Sequence, residues 1–337
     1  MKASIATTLA ALLLAGSSAL AQQPSPAAPP PAAAAAATPQ PFVAGRPLGV
    51  TTDGAYTPMS SNVKVFGSFV NTESCSYDTT RNLIVAVNRG ANQNEVPNDA
   101  YVSLINHDGS VHTSRWIGVN RNGLTLNHPF GSDIHAGKLY LADRDGGTAD
   151  GAPSVSVLRM FDMATGAPAG QVVTPGSTGF NDIEVASDGT VYATQTGTAD
   201  GQTPMRLYRV RPNGEATVLL EGAPLSRPNG VAIDNDGNIV VVNIGDANVL
   251  TFSPQGRLLR TEQAAQSGND GIVIMRDGTK YVSSVLLGGI SRMRPGRPAE
   301  LIATGIPSAA SMCHDPVANQ LVIPMNPNNA LAFVKLN

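Results

Sequence analysis

Residues 227–243 read RPNGVAIDNDGNIVVVN, and this stretch decides the fold because the chain repeats it. Residues 180–195, FNDIEVASDGTVYATQ, carry the same pattern in the same register. With Asn229 as position zero, Gly237 falls eight residues later and the run Ile239–Val242 follows. Short runs of Val, Ile and Tyr bounded by Asp, Asn and Gly are the mark of a β-hairpin. The same frame puts Asn181 or Asp270 at zero with Gly189 or Gly278 at plus eight. TESCSYDTTRNLIVAVN puts Glu73 at zero, with Arg81 where the glycine would stand. HPFGSDIHAGKLYLAD fits with a turn one residue shorter and Phe130 at zero, and AASMCHDPVANQLVIP with one residue more and Ala310 at zero.

Weaker hairpins lie between these six copies, among them VSLINHDGSVHTS, RLYRVRPNGEATVLL and VLTFSPQGRLLRT. A repeat of about 40–50 residues with four short strands reads as one blade of a β-propeller, so an all-β, six-bladed propeller is expected. A blade cannot bury both faces alone, which is why the chain repeats itself. The last segment, ALAFVKLN (330–337), has no hairpin partner of its own, and VKVFGSF (63–69) opens a unit short of strands. Pairing the C-terminal strand into the first blade would close the ring and remove two exposed edges. A β-sandwich or a solenoid, the alternative folds, has no use for such a strand.

Composition agrees: Gly 34 and Pro 25 with 5% aromatic residues imply many turns and few long helices. Charged residues are 14% of the chain and the net charge is −3, which gives no basic surface for nucleic acid or an anionic membrane. The first residues, MKASIATTLAALLLAGSSALAQQ, combine Lys2, an apolar run and Ala19-Leu20-Ala21. They read as a secretory signal, 1–21, and imply export to the periplasm or the medium with no membrane span after cleavage. Residues 22–41, rich in Pro and Ala, read as a linker, leaving 42–337 for the propeller. In an exported chain Cys75 and Cys313 fall in neighbouring repeats, either as a disulfide or as two buried thiols.

Position zero opens the innermost strand of each blade, so the six residues there form a ring around the central channel: Glu73, Phe130, Asn181, Asn229, Asp270 and Ala310. Four of them offer side-chain oxygen, and polar groups facing one another away from bulk water cost free energy unless something satisfies them. Ordered water is one answer. A hard divalent cation is the other, because oxygen ligands without His or Cys suit Ca²⁺ or Mg²⁺ and two carboxylates balance its charge.

Glu, Asn, Asn and Asp at the inner strand starts, with P-N-G before one strand and N-D-G before the next, resemble the senescence marker protein/gluconolactonase family and the related diisopropyl fluorophosphatase and paraoxonase propellers. The resemblance spans roughly residues 60–337. It implies a calcium ion held by Glu73, Asn181, Asn229 and Asp270, with Asp270 as base or nucleophile in hydrolysis of a lactone or related ester. Two departures stand out. Gly179 occupies the place where gluconolactonases of this family carry a sugar-holding arginine, and Ser74 replaces a glycine after the first ligand. Phe130 is expected to form substrate wall, and His128 and His314 are candidates for substrate contact at the channel mouth. The partner is then a small-molecule substrate. The alternative is a binding propeller in which the cation only braces the channel.

Overall fold

The computed structural model describes residues 48–49, 55–91, 96–118, 124–148 and 152–337. The described residues all fall in one compact unit, within Thr38–Asn337. The expected signal, 1–21, and linker, 22–41, lie outside the described residues.

Every sheet among the described residues has four antiparallel strands, and there are six such sheets. Strand β1 is Val63–Phe66, and blade one follows as β2 (Thr72–Asp78), β3 (Leu83–Asn88), β4 (Tyr101–Ile105) and β5 (Val111–Gly118). Blade two is β6 (Ser132–His135), β7 (Lys138–Gly146), β8 (Ser154–Asp162) and β9 (Pro168–Thr174). Blade three is β10 (Ile183–Val185), β11 (Val191–Gln195), β12 (Arg206–Val210) and β13 (Ala216–Glu221). Blade four is β14 (Pro228–Ile233), β15 (Ile239–Asn243), β16 (Asn248–Phe252) and β17 (Leu258–Gln263). Blade five is β18 (Asn269–Ile274), β19 (Lys280–Ser284), β20 (Ile290–Met293) and β21 (Glu300–Ala303). Blade six takes β22 (Cys313–Asp315), β23 (Gln320–Met325) and β24 (Ala330–Lys335) from the end of the chain and β1 from near its beginning. The protein is a six-bladed β-propeller.

The C-terminal strand does pair with the VKVF segment, Val63 opposite Val334 through Phe66 opposite Leu331. The blade they complete is the sixth rather than the first. Residues 72–118 already supply blade one with four strands, so its sheet has no place for a fifth, whereas β22–β24 alone leave an open outer edge.

The core follows from strand periodicity. Successive side chains of β3 point to opposite faces. Leu83, Val85 and Val87 therefore pack with Leu139, Leu141 and Phe161 of blade two, while Ile84 and Ala86 pack with Val322, Leu331 and Phe333 of blade six. Both faces of a central strand are buried, which explains continuous apolar runs such as IVVV and LIVAV. The same pattern gives one apolar cluster at each of the other blade interfaces. Burying one Val such as Val85, fully shielded from solvent, is worth about 1.5–3 kcal/mol. A Val85→Asp change would place an unpaired charge in that interface.

The turn eight residues after position zero needs a left-handed backbone, and Gly189 (φ 83°), Gly237 (80°) and Gly278 (82°) provide it. In blade one Asn82 (φ 60°) takes this conformation in place of glycine, as Asn319 (47°) does in blade six.

Cys75 and Cys313 form a disulfide between the inner strands of blades one and six, Cα atoms 5.5 Å apart and 238 residues apart in sequence. Of the two states the sequence left open, the structure has the bridge. No helix among the described residues is long and apolar enough to cross a membrane.

Candidate functional site

The residue after position zero faces the next blade. In blades two, four and five it is Gly131, Gly230 or Gly271, and a Cβ there would lie 2.4 Å from Asp182 Oδ1, 2.3 Å from the Asp270 carbonyl oxygen or 2.7 Å from the Met312 nitrogen. Glycine is what lets neighbouring inner strands come this close. Ser74 stands at the same position in blade one, and its hydroxyl donates to the Phe130 carbonyl at 2.7 Å. The departure at Ser74 thus has a structural role, tying blade one to the ring residue of blade two. Hydroxyls on second strands do the same work elsewhere: Thr194 Oγ1 donates to the Asn229 carbonyl, and Ser283 Oγ to the Ala310 carbonyl at 2.8 Å.

Held this way, Glu73, Asn229 and Asp270 are each at least 96% shielded from solvent, with 4%, 2% and 3% exposure. Asn229 Nδ2 donates to Asp270 Oδ2 at 3.0 Å. That contact leaves Asn229 Oδ1 and Asp270 Oδ1 without hydrogen-bond partners. Glu73 Oε2 lies 3.0 Å from Arg89 Nη1, close enough for an ion pair, yet it receives no hydrogen bond of acceptable alignment. Asn181 is less buried; its carbonyl accepts from Gly131 N at 2.7 Å, and it lines a cavity of about 500 Å³ with Arg144, Gly179 and Gln195. Three buried oxygens without donors fit a hard cation, and two carboxylates with amide oxygens are the right donor set for one. Among the described residues no three His, Cys, Asp or Glu side chains gather as a metal cluster, so the fit rests on this mixed set.

The charge in the channel has the same implication. Burial, then Glu73 and Asp182, push the Asp270 carboxyl well above its ordinary value, against the opposing pull of Arg89 and the Asn229 amide. Burial lifts Asp182 to about 7 and Asp133 to about 6, and it raises Glu184 as well. So many acids in one channel must be neutralised by protons or by a cation.

A second register surrounds the ring. In blades one to four a polar residue at or near the end of the second strand holds the loop that leads into the inner strand. Asn88 Oδ1 accepts from Val70 N at 3.0 Å, Asp143 from the His128 and Asn127 amides at 2.7 and 3.0 Å, Gln195 Oε1 from Thr178 N at 3.1 Å and Asn243 Oδ1 from Ser226 N at 3.1 Å. Asp143 is itself bound by Arg159 Nε at 2.5 Å. The next residue is Arg89, Arg144, Thr196 or Ile244 in these four blades, and Val285 and Asn326 follow the second strands of blades five and six. Arg89 and Arg144 lie on the Phe130 ring, their guanidinium carbons 4.7 and 4.6 Å from its centroid.

Phe130 is therefore a wall held between two cations. His128 packs edge-on against it, ring centroids 5.2 Å apart, and is 3% exposed with Nδ1 unpartnered. Burial and the two arginines lower its pKa to about 2, so the imidazole is neutral at ordinary pH. His314 is elsewhere. It lines a cavity of about 230 Å³ with Asp133, Asp182, Glu184 and Met312, toward the far ends of the inner strands. His107 bridges blades one and six through Nδ1 to Asp315 Oδ1 at 2.9 Å.

Sequence reasoning missed Arg89, Arg144 and Asp182. The signal for Asp182 was present, since three of the other copies have glycine at its position. Arg89 follows the end of β3 and Arg144 lies near the end of β7, past its apolar run, where no apolar period marks a position.

Residues 152–323 match the SMP-30/gluconolactonase/LRE-like region, and the chain belongs to that family. Among solved structures it resembles a gluconolactonase from Xanthomonas campestris, with 16% identity over 90% of this chain and 99% of that one and a TM-score of 0.57. It also resembles virginiamycin B lyase from Staphylococcus aureus, with 14% identity over 82% and 99% and a TM-score of 0.56. At these identities the likeness is one of fold. No curated protein sequence matches the chain.

Proposed function

We propose that the protein is an exported hydrolase of lactones or related esters that works with a divalent cation, Ca²⁺, held by Glu73, Asn181, Asn229 and Asp270. Membership of the gluconolactonase-like family suggests lactonase activity. The observation that carries the finer reading is the set of buried oxygens without donors on Glu73, Asn229 and Asp270. A cation bound there supplies Lewis-acid polarisation of the substrate's carbonyl oxygen.

The protein's own residues do the rest. Asn229 Nδ2 fixes the orientation of the Asp270 carboxylate, the group that takes a proton. Asp270 removes that proton from water as the water oxygen bonds to the acyl carbon, and returns it to the alkoxide when the ring C–O bond breaks, so the net change is addition of one water. Phe130 and the cavity beside Asn181 give the acyl group a wall and a space.

The test is proton release from a panel of lactones and esters, with Ca²⁺ and with chelator, by the protein and by Asp270→Asn. Chelator-sensitive hydrolysis that the variant lacks is expected. If no substrate is turned over although Ca²⁺ binds, the protein is instead a binding propeller braced by its cation.

A further inference from the structure

The lactonase reading leaves the two arginines at the mouth without a task, and their surroundings are unusual. Phe130 covers one face of each guanidinium, but a guanidinium hydrogen-bonds through its edges. Both Nε atoms are buried and without a partner. Arg89 is close to a carboxylate, Glu73. Arg144 forms no ion pair among the described residues, and its nearest acidic neighbours act on it only through space. Burial and the charge of Arg89 lower its pKa to about 10, while Asp143 and Glu73 pull the other way through space.

Gly179 makes room for this arrangement. A Cβ built on Gly179 would lie 2.7 Å from Arg144 Nη2 and 3.0 Å from Cζ, so the guanidinium rests directly on the glycine. Arg144, Gly179 and Asn181 line the same cavity of about 500 Å³. Around the mouth, blades one to three present Arg89, Arg144 and Thr196, whose hydroxyl is also buried and unpartnered, while blades four and five present Ile244 and Val285. The two cations thus stand in adjacent blades beside a hydroxyl, while blades four and five bring no charge and blade six brings Asn326.

We propose that Arg144, with Arg89 beside it, binds a carboxylate on the substrate, so that the lactones or esters this site takes carry a free carboxylate group. The inference rests on the hydrolase reading for the word substrate, and on the guanidinium pair alone for the word carboxylate. A planar carboxylate matches the fork of an arginine, and such charge-assisted hydrogen bonds are about twice as strong as neutral ones.

The experiment is calorimetric titration of the full chain with glutarate at low ionic strength, against glutaramide, its neutral counterpart. One glutarate per chain is expected, with glutaramide and the Arg144→Gln variant each weaker by about tenfold or more. Because glutarate has no bond to hydrolyse, the result does not depend on catalysis. Glutarate binding without turnover of any lactone would sink the hydrolase and leave the carboxylate site. Hydrolysis of neutral lactones with no glutarate binding would do the reverse. Equal binding of acid and amide, or glutarate affinity unchanged in Arg144→Gln, overturns the proposal. Gly179→Ala provides a variant that keeps the charge: its methyl group displaces the guanidinium, and it is expected to weaken glutarate while an unfolding curve reports that the propeller is intact.

Discussion

Removing the disulfide tests how the ring is held closed. Cys75 and Cys313 span 238 residues of sequence, so in the unfolded chain the bond closes nearly the whole propeller into one loop. The chain-entropy relation gives about 18 cal/mol/K for a loop of that length, or about 5.5 kcal/mol at 25 °C. The pairing of β1 with β24 joins the same two ends of the propeller but exists only in the folded state, and so cannot substitute for a covalent restriction on the unfolded one. With about 2.1 cal/mol/K of unfolding entropy per residue over about 280 residues, the loss corresponds to a fall of about 9 °C in Tm. The two half-cystines are 4% and 7% exposed, and trimming them to Ala adds about 1 kcal/mol of lost packing. The assay is thermal and urea unfolding of three samples in one metal-free buffer: the oxidised protein, Cys75→Ala/Cys313→Ala, and protein refolded under reductant, which isolates the bond from the packing. The urea m-value should also rise, because an unlinked unfolded chain is more expanded. A variant melting within about 2 °C of the parent with an unchanged m-value would refute the reasoning and assign ring closure to the strand pairing alone.

Three further outcomes are expected. Ca²⁺ should raise the Tm of the protein and leave Asp270→Ala unmoved, by linkage of folding to binding; an equal rise in both would remove Asp270 from the ligand set. Gly230→Ala should cost about 1–3 kcal/mol, because its methyl group would meet the Asp270 carbonyl oxygen at 2.3 Å, and should weaken the Ca²⁺ response as the ring shifts; a neutral effect on both, read by urea unfolding, would contradict the close approach. Asp133 has its pKa raised from 3.8 to about 6, so between those values the folded chain keeps a proton that the unfolded chain gives up. In chelator, stability should therefore fall as pH rises through that window, with Asp133→Asn flattening the slope by about 1–3 kcal/mol in total, and a slope identical in the two proteins would count against the buried carboxyl.

The repeat made the blades legible because both faces of a propeller's central strands are buried and every blade needs the same turn. Asn229 with Gly237 sets a frame that could be carried around the ring even where Asn82 or Asn319 replaces the glycine. Closure was half legible: the sequence shows that ALAFVKLN and VKVF each lack a partner, but which sheet has room for both depends on counting the strands of 72–118, where the second hairpin is weakly patterned. The ring of Glu73, Asn181, Asn229 and Asp270 could be read because it falls at the start of an apolar run. Arg89 and Arg144 could not, since they lie past the apolar runs of their strands, and their neighbourhood to Phe130 and Gly179 is created by adjacent blades. For the same reason the cysteines remained open until the separation of the inner strands was known.

The contacts that brace the inner strands have a consequence for how such a protein changes its chemistry. Gly131, Gly230 and Gly271 fix the bore of the channel, and Asn88, Asp143, Gln195 and Asn243 fix the loops above it. The residues immediately after those loop-holders belong to neither set of braces. Arg89, Arg144, Thr196 and Ile244 are thus a four-letter word written on a rigid frame, one letter for each of blades one to four. A library randomised at these four codons alone would search new substrates while leaving both sets of braces in place.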